Sequence, residues 1–194
     1  MDNIRYLVIL DLEATCGNVI TQEIIEFSTV LVDIGYKKKI AEFQQYVKPV
    51  NEPILTTFCK DLTGITQHNI DNGIHIIDTF RLFEKWLDNY NLKDNYIIMT
   101  CGDWDIGEMI ITQCEKYDID LPTFCYKWMN IQVEFEKTYM MKKHGMMKML
   151  KYLNIKHTGK HHSGLDDCRN IANILIRMLD DGYKFDDTDI RYLS

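Results

Sequence analysis

The sequence predicts an α/β domain in which a mixed central sheet is flanked by helices. Three strand-like segments come first, and helix-like and strand-like segments then alternate along the chain. The 194 residues, of which 46% are hydrophobic, suffice for one domain with a sheet-and-helix core. We therefore expect a single domain over residues 1–194.

The strands are indicated by apolar runs and by β-branched and aromatic residues. YLVIL at 6–10 is a continuous apolar run, as in a strand buried on both faces. Residues 23–33 and 39–49 are rich in strand-forming side chains, and the short IGYKK between them predicts a hairpin. NYIIMT at 95–100 predicts a further apolar strand. WMNIQVEF at 128–135 is expected to be a strand or an extended segment.

Helices are indicated where apolar residues recur at helical spacing. This pattern covers residues 74–90, 103–117 and 145–154, and a last helix is expected over about 166–181. Gly182 follows that helix directly and is a suitable C-terminal cap.

Cysteine usage and the N-terminus bear on the cellular compartment. The six cysteines include no CxxC pair, which argues against a zinc knuckle or a redox motif and suits reduced thiols. The N-terminal stretch MDNIRYLVIL carries an acid and no small-residue cleavage site, so we expect no secretory signal. No apolar run reaches the length of a membrane span. A cytoplasmic location is expected, with the nucleus as the alternative.

The net charge of −7 is unevenly distributed. Residues 137–162, here called the basic segment, contain seven lysines, four of the six histidines and no acid. Clustered cations attract phosphate whatever the overall balance. Two interpretations stay open, a solvated surface and a strip that contacts phosphates. Five aspartates between 180 and 189 form an acidic tail that should repel phosphate.

Asp11 and Glu13 follow the apolar run at 6–10. In a strand, residues i and i+2 point to the same face, so both carboxylates project together. Two like charges about 4 Å apart repel by roughly 4 kcal/mol at an effective dielectric of 20. The pair is therefore costly unless a cation bridges it or the strand end lies on the surface.

Asp103 and Asp105 lie where the predicted helix 103–117 begins. Aspartate is a preferred N-cap, so one of the two is expected to cap this helix. Asp105 lies four residues before Met109, on the stripe that faces the sheet, whereas Asp103 lies off that stripe. We therefore expect Asp105 to point inward.

The stretch HHSGLDD at 161–167 contains two equally spaced pairs. His161 precedes Asp166 by five residues and His162 precedes Asp167 by five, so spacing alone does not choose between them. Asp167 lies four residues before Ile171, on the apolar stripe of the last helix, whereas Asp166 is on its solvent side. Asp167 is therefore expected to point inward, and His161 pairs by spacing only with the outward Asp166.

Four inward acids at the ends of elements predict hard cations bound by oxygen ligands. Such sites usually hold two Mg²⁺ or Mn²⁺ ions, which activate a water for phosphodiester hydrolysis. A nearby neutral histidine accepts the proton of that water. The predicted ligands are Asp11, Glu13, Asp105 and Asp167.

Three motifs together resemble those of the DEDDh (DnaQ-like) 3′→5′ exonucleases. They are DLEATC (11–16), GDWD (102–105) and HHSGLDD (161–167). EATC and CKDLTGITQ (59–67) are most similar to the branch of histone-mRNA 3′-end and enhanced-RNAi exonucleases. The resemblance covers about residues 5–183 and leaves 184–194 as the acidic tail. It implies a ribonuclease-H-like fold and a 3′→5′ exoribonuclease that releases nucleoside 5′-monophosphates.

The resemblance also implies roles for individual residues. The four inward acids would be metal ligands, with Glu13 and His162 catalytic and His162 the general base. His162 would also contact the substrate. The other residues implied to hold the terminal nucleotide are Ala14, Thr15, Leu62, Thr63, Ile65 and Trp104.

Two departures from the family pattern affect the substrate. Asp103 stands where the branch usually has a small residue, and could attract a cation or cap the helix. We expect no separate basic nucleic-acid-binding domain of the kind that some relatives carry. We therefore expect the enzyme to act on short, single-stranded or overhanging RNA 3′ ends, or to depend on a partner protein that delivers the RNA. We also expect a monomer.

Two alternative functions stay open. A DNA-trimming exonuclease would use the same core, and no residue here decides for or against recognition of the 2′-hydroxyl. A non-catalytic RNA-binding adaptor would be expected to have lost a carboxylate or the histidine, whereas all five positions are filled.

Overall fold

The computed structural model describes residues 4–17 and 21–193. These residues form a six-stranded sheet in the order β3-β2-β1-β4-β5-β6. Its strands are β1 (Tyr6–Ala14), β2 (Ile24–Asp33), β3 (Lys38–Tyr46), β4 (Tyr96–Thr100), β5 (Lys127–Asn130) and β6 (Arg191–Tyr192). β1 pairs antiparallel with β2 and parallel with β4, so the sheet is mixed, as predicted. The predicted hairpin is confirmed by the antiparallel pairing of β2 with β3.

Helices lie between the strands and after β5. The α-helices are α1 (Thr57–Thr63), α2 (Gln67–Asp71), α3 (Ile76–Asn89), α4 (Ile111–Tyr117), α5 (Ile131–Tyr139), α6 (Met146–Tyr152) and α7 (Gly164–Asp180). The helices predicted at 74–90, 145–154 and 166–181 are confirmed as α3, α6 and α7. The helix predicted at 103–117 is also present, but its first part, Asp105–Ile110, is a π-helical turn that continues into α4.

The prediction of extended structure over 128–135 is wrong beyond β5. The chain turns into α5 after Asn130, whose side chain accepts a hydrogen bond from the Gln132 N–H at 2.9 Å. Asparagine is a favoured N-cap because its oxygen satisfies a free N–H of the first helical turn. This cap marks the change from strand to helix inside the segment 128–135.

β1 is buried on both faces, as its apolar run predicts. Val8 and Leu10 pack in the same core cluster as Phe83 of α3. Leu7 and Ile9 face the other side, where the core is shared with α6 and α7. The central strand is thus fixed between two helical layers, which gives its C-terminal end a rigid position.

The end of α7 is a Schellman motif. Gly182 has φ +100° and donates to Leu179 O at 3.4 Å, while the Tyr183 N–H donates to Met178 O at 2.8 Å. The predicted role of Gly182 as the capping glycine is confirmed, because only glycine adopts this φ at no steric cost.

The residues predicted as an acidic tail, 184–194, belong to the fold as far as they are described. β6 pairs antiparallel with β5, and the Leu193 N–H donates to Tyr126 O at 3.2 Å. Asp189 forms an ion pair with Lys137 of the basic segment. Throughout the described part of the chain, every helix is too short or too polar to cross a bilayer.

Candidate active site

Asp11 and Glu13 are part of β1 itself and do not follow it. The strand was expected to end at residue 10, but pairing with β2 extends it to Ala14. The two carboxylates nevertheless share a face, because they are two residues apart in a strand. Both line a cavity of about 800 Å³ at the end of β1.

Four carboxylates converge in this cavity. Oxygens of Asp11, Glu13 and Asp167 lie within 4.8 Å of one another. Asp105 joins them because its Oδ1 accepts the backbone N–H of Leu12, between the two acids of β1, at 3.0 Å. Asp105 and Asp167 are only 6% and 5% exposed, so both inward orientations predicted from helix periodicity are confirmed.

Burial raises the pKa of the acids in the cavity. The pKa of Asp11 is well above its usual range because of burial and the nearby charge of Asp105. Burial and the neighbouring Glu26 raise the pKa of Glu13 to about 9, and burial raises that of Asp105 to about 7. No lysine or arginine within residues 4–17 and 21–193 forms an ion pair with these acids or with Asp167. A set of carboxylate oxygens that no lysine or arginine neutralises by an ion pair fits a hard divalent cation.

We expect Mg²⁺ or Mn²⁺ to raise the melting temperature, and to do so more at pH 8 than at pH 5. The raised pKa values of Glu13 and Asp105 mean that folding favours their protonated forms. Their contribution to stability is present below their unfolded pKa values and is lost as pH rises through about 7 and 9. A cation bound only to the folded state adds about 2.7 kcal/mol at 100 times its Kd. Thermal melts with the cation or EDTA measure this; a larger shift at pH 5 would contradict it.

Asp103 caps no helix, and neither does Asp105. Among the described residues no side chain caps the start of this helix, and only the backbone oxygen of Asp103 accepts the Gly107 N–H, at 2.7 Å. The prediction that one of the two aspartates is the N-cap is therefore wrong. The Asp103 carboxylate instead forms ion pairs with Arg191 at 2.9 Å and Lys143 at 3.7 Å. The extra acid of this motif thus attracts side-chain cations and ties β6 to the rim of the cavity.

Asp166 and Asp167 point in opposite directions at the start of α7. Asp166 accepts the backbone N–H of Lys160 at 2.9 Å and forms an ion pair with Arg169 at 3.0 Å. Asp167 faces the cavity and the acids of β1. Asp166 therefore shapes the loop before α7, whereas Asp167 completes the carboxylate cluster.

The two histidines both lie beside Asp167. Nδ1 of His161 is 3.1 Å from Asp167 Oδ2, and the backbone N–H of His162 donates to the same oxygen at 2.9 Å. The pairing of His161 with Asp166 expected from spacing is therefore wrong. The reason is that both histidines precede the helix, and His162 has φ +67°, so the chain turns sharply. Burial, and then the neighbouring His161, lower the pKa of His162, which keeps its ring neutral near pH 7.

The residues implied to hold a nucleotide fall into two groups. Ala14, Thr15, Leu62 and Trp104 line the cavity. Thr63 and Ile65 do not line it and are 3% exposed each; the Thr63 hydroxyl accepts the Ile65 N–H at 3.0 Å. This hydrogen bond stabilises the turn that follows α1. The Thr15 N–H already donates to Glu23 O at 2.8 Å.

Phe58 and Glu26 are among the residues in or beside the site that were missed from the sequence. Phe58 lies one helical turn before Leu62 on α1, lines the cavity and is 64% exposed. An aromatic side chain at i−4 from a predicted contact residue was an available signal. Glu26 is buried opposite Glu13 on β2, and its carboxylate accepts the first N–H of α7, from Gly164, at 3.1 Å. Nothing in the local pattern around Glu26 indicated this contact.

Comparison with known proteins identifies the family. Residues 8–175 match a family model described as Exonuclease. The chain is 37% identical over 185 residues to rat 3'-5' exoribonuclease 1, covering 91% of this chain and 54% of the relative. It is 33% identical to human ERI1 exoribonuclease 2 over 91% of this chain and 29% of the relative. The chain thus spans about half or less of these curated relatives.

Solved structures agree with this assignment. The nuclease domain of 3'hExo, a DEDDh family member bound to rAMP, superposes with a TM-score of 0.90 at 32% identity, over 100% of this chain and 98% of that domain. A 3'-exonuclease described by its 3'-end specific recognition of histone mRNA stem-loop gives 0.85 at 32% identity, over 98% and 71%. The expected ribonuclease-H-like fold is confirmed. The chain therefore belongs to the DEDDh exonuclease family, in the branch of the histone-mRNA 3′-end exonuclease.

Proposed function

We propose that this protein is a 3′→5′ exoribonuclease that hydrolyses RNA 3′ ends to nucleoside 5′-monophosphates. The observation that carries the proposal is the convergence of four carboxylates, two of them buried, in one cavity beside His162. The family depends on divalent metal ions. The similarity to exoribonucleases over nine-tenths of this chain supports RNA as the substrate.

The carboxylates would hold two Mg²⁺ or Mn²⁺ ions. The proposed ligands are Asp11, Glu13, Asp105 and Asp167. When bound, such a pair activates a water and stabilises the leaving oxygen of the phosphodiester. Within the protein, the Leu12 N–H fixes Asp105 and the His162 N–H fixes Asp167, so the ligands are oriented by backbone groups. The neutral ring of His162 would accept the proton of the attacking water.

Aromatic and aliphatic side chains would hold the terminal nucleotide. Phe58, Leu62 and Trp104 line the same cavity as the acids, and Phe58 and Trp104 are 64% and 37% exposed. Bases stack on such side chains with little dependence on sequence. Ala14 at the end of β1 would contact the ribose side of the nucleotide. Thr63 and Ile65 would not contact the nucleotide; they would stabilise the turn after α1 and so hold Leu62 in position.

The decisive experiment uses RNA and DNA of matched sequence, each labelled at the 5′ or the 3′ end, with Mg²⁺, Mn²⁺ or EDTA. We expect 3′-labelled RNA to release labelled mononucleotide at once, and 5′-labelled RNA to shorten progressively. EDTA should abolish both. Faster cleavage of DNA would favour the DNA-trimming alternative, and binding without cleavage in either metal would favour the adaptor.

The structure divides the basic segment into separate surfaces. Lys143, His144 and Lys148 line the cavity. Lys160 instead donates to the backbone oxygen of Asp61 in α1 at 2.7 Å. We propose that the backbone of the RNA passes along Lys143 and Lys148, and that short or single-stranded 3′ ends enter the cavity there. We also propose that the enzyme acts as a monomer, either alone or with a partner protein that delivers the RNA.

Replacing Lys143 and Lys148 together with alanine is expected to weaken RNA binding and to reduce its salt dependence. Each lost phosphate contact lowers the slope of log K against log salt by about 0.7 for a single strand. Fluorescence anisotropy with labelled RNA at several salt concentrations, in EDTA, measures the slope. Lys156→Ala, an exposed lysine of the same segment outside the cavity, is the matched control. Equal slopes for the double variant and the control would show that Lys143 and Lys148 contact no phosphate and are ordinary solvated lysines.

A further inference from the structure

Three histidines surround Asp167. His161 Nδ1 is 3.1 Å from Oδ2, and His157 Nε2 is 3.9 Å from Oδ1. The rings of His161 and His162 stack with centroids 3.9 Å apart. Ligand atoms of His161, His162 and Asp167 lie within 4.8 Å of one another, so one ion could contact all three once a ring rotates out of the stack and aims its nitrogen at the shared point.

The hydrogen bonds of this cluster leave room for a cation. His161 Nδ1 lies 3.1 Å from the His162 backbone N–H and 3.1 Å from Asp167 Oδ2. If His161 Nδ1 is unprotonated and accepts the His162 N–H, its lone pair also faces the lone pairs of Asp167 Oδ2. That contact is repulsive. Either a proton on Nδ1 or a metal ion relieves this contact. His157 Nε2 is buried and has no hydrogen-bond partner among the described residues.

The donor atoms here differ from those of the carboxylate cluster. Imidazole nitrogens suit Zn²⁺, Co²⁺ and Ni²⁺, whereas carboxylates and water suit Mg²⁺ and Mn²⁺. We propose that His161, His162 and Asp167 form a second cation site, selective for Zn²⁺-like ions, with His157 as the nearest additional donor. Asp167 belongs to both clusters, so the two sites are contiguous.

Occupation of this site would inhibit the enzyme, an effect that rests on the proposed function. A metal bound to the imidazole of His162 takes the lone pair that would accept the proton of water. It also engages Asp167, one of the proposed Mg²⁺ ligands. Zn²⁺ added to the Mg²⁺-loaded enzyme should therefore lower its turnover through His161, a residue outside the proposed catalytic set.

The binding test needs no activity. Zn²⁺ is titrated by calorimetry into the parent and His161→Ala proteins, with Mg²⁺ in excess, and Co²⁺ is used as a spectroscopic probe. We expect His161→Ala to weaken Zn²⁺ binding roughly tenfold or more. It should also remove the intense d–d bands of a low-coordinate, nitrogen-ligated Co²⁺. His68→Ala, an exposed histidine of α2, should bind both ions as the parent does. Equal Zn²⁺ affinity and equal Co²⁺ spectra for parent and His161→Ala would overturn the site.

The inhibition test separates this site from the proposed function. Turnover in Mg²⁺ is measured with increasing Zn²⁺ for the parent and His161→Ala proteins. A rise in the inhibitory Zn²⁺ concentration of roughly tenfold or more for His161→Ala supports the proposal, and equal inhibition overturns it. A parent protein that binds Zn²⁺ through His161 but cleaves no RNA would uphold the site and refute the exoribonuclease.

Discussion

Asp105→Asn is expected to reduce RNA hydrolysis to the background rate while the metal-free protein stays folded. The substitution removes a negative ligand from the carboxylate cluster, and asparagine oxygen is a weaker partner for a divalent cation. The hydrogen bond from the Leu12 N–H can persist, because the asparagine oxygen still accepts it. Loss of one buried charge also relieves the repulsion that raises the pKa of its neighbour Asp11. The metal-free variant should therefore melt at or above the temperature of the parent.

Single-turnover assays in Mg²⁺ and melts in EDTA measure the two effects. Asp103→Asn is the matched control, since it removes a carboxylate two residues away that pairs with Arg191 and Lys143. Partly exposed ion pairs of this kind contribute about 0–1 kcal/mol, so this control should fold and cleave RNA within roughly tenfold of the parent. An Asp105→Asn protein that fails to fold without metal would show that Asp105 is structural.

His162→Ala is expected to lower the single-turnover rate about 10²–10⁴-fold, the usual cost of losing a positioned base. Binding of Mg²⁺ to the carboxylates should be retained, because the backbone N–H that orients Asp167 survives the substitution. Burial lowers the pKa of His162, so its ring is neutral and able to accept a proton near pH 7. The parent rate should fall as pH drops through this pKa. The variant should lack that limb of its pH profile.

His161→Ala and Asp166→Asn are the controls for this assignment. His161 touches Asp167 but is outside the proposed catalytic set, and Asp166 holds the Lys160 N–H and Arg169. Each control should stay within roughly tenfold of the parent in Mg²⁺ and keep its acidic limb. A larger loss of single-turnover rate for His161→Ala than for His162→Ala would show that His161, and not His162, is the general base.

Local periodicity was sufficient to orient the acids. The two-residue repeat of a strand places Asp11 and Glu13 on one face, and that face opens into the cavity. The helical stripes through Met109 and Ile171 place Asp105 and Asp167 inward, where both are buried. These positions follow from neighbours along the chain, which is why the sequence predicted them.

Contacts that depend on irregular backbone or on strand register could not be predicted in this way. His161 reaches Asp167 because the chain turns at His162, and no repeat describes such a turn. Glu26 approaches Glu13 only through the register of β1 with β2. The change from β5 to α5 occurs inside one segment of alternating apolar and polar residues, 128–135, where a cap at Asn130 decides the outcome. Tertiary neighbours, and not residue type, fix these features.

The π-helical turn at Asp105–Ile110 can lose one residue without turning Asp105 away from the cavity. A π-helical turn holds more residues per turn than an α-helix, and such turns behave as single-residue insertions. Deletion of Gly107 would let the segment wind as an ordinary α-helix, in which each residue turns by about 100°. Asp105 would then lie four residues before Ile110, about 400° around the axis, and so would stay on the stripe that continues through Ile110 and Cys114. In alignments of distant relatives, a one-residue gap here is therefore compatible with an aspartate that still points into the cavity, as a proposed metal ligand must.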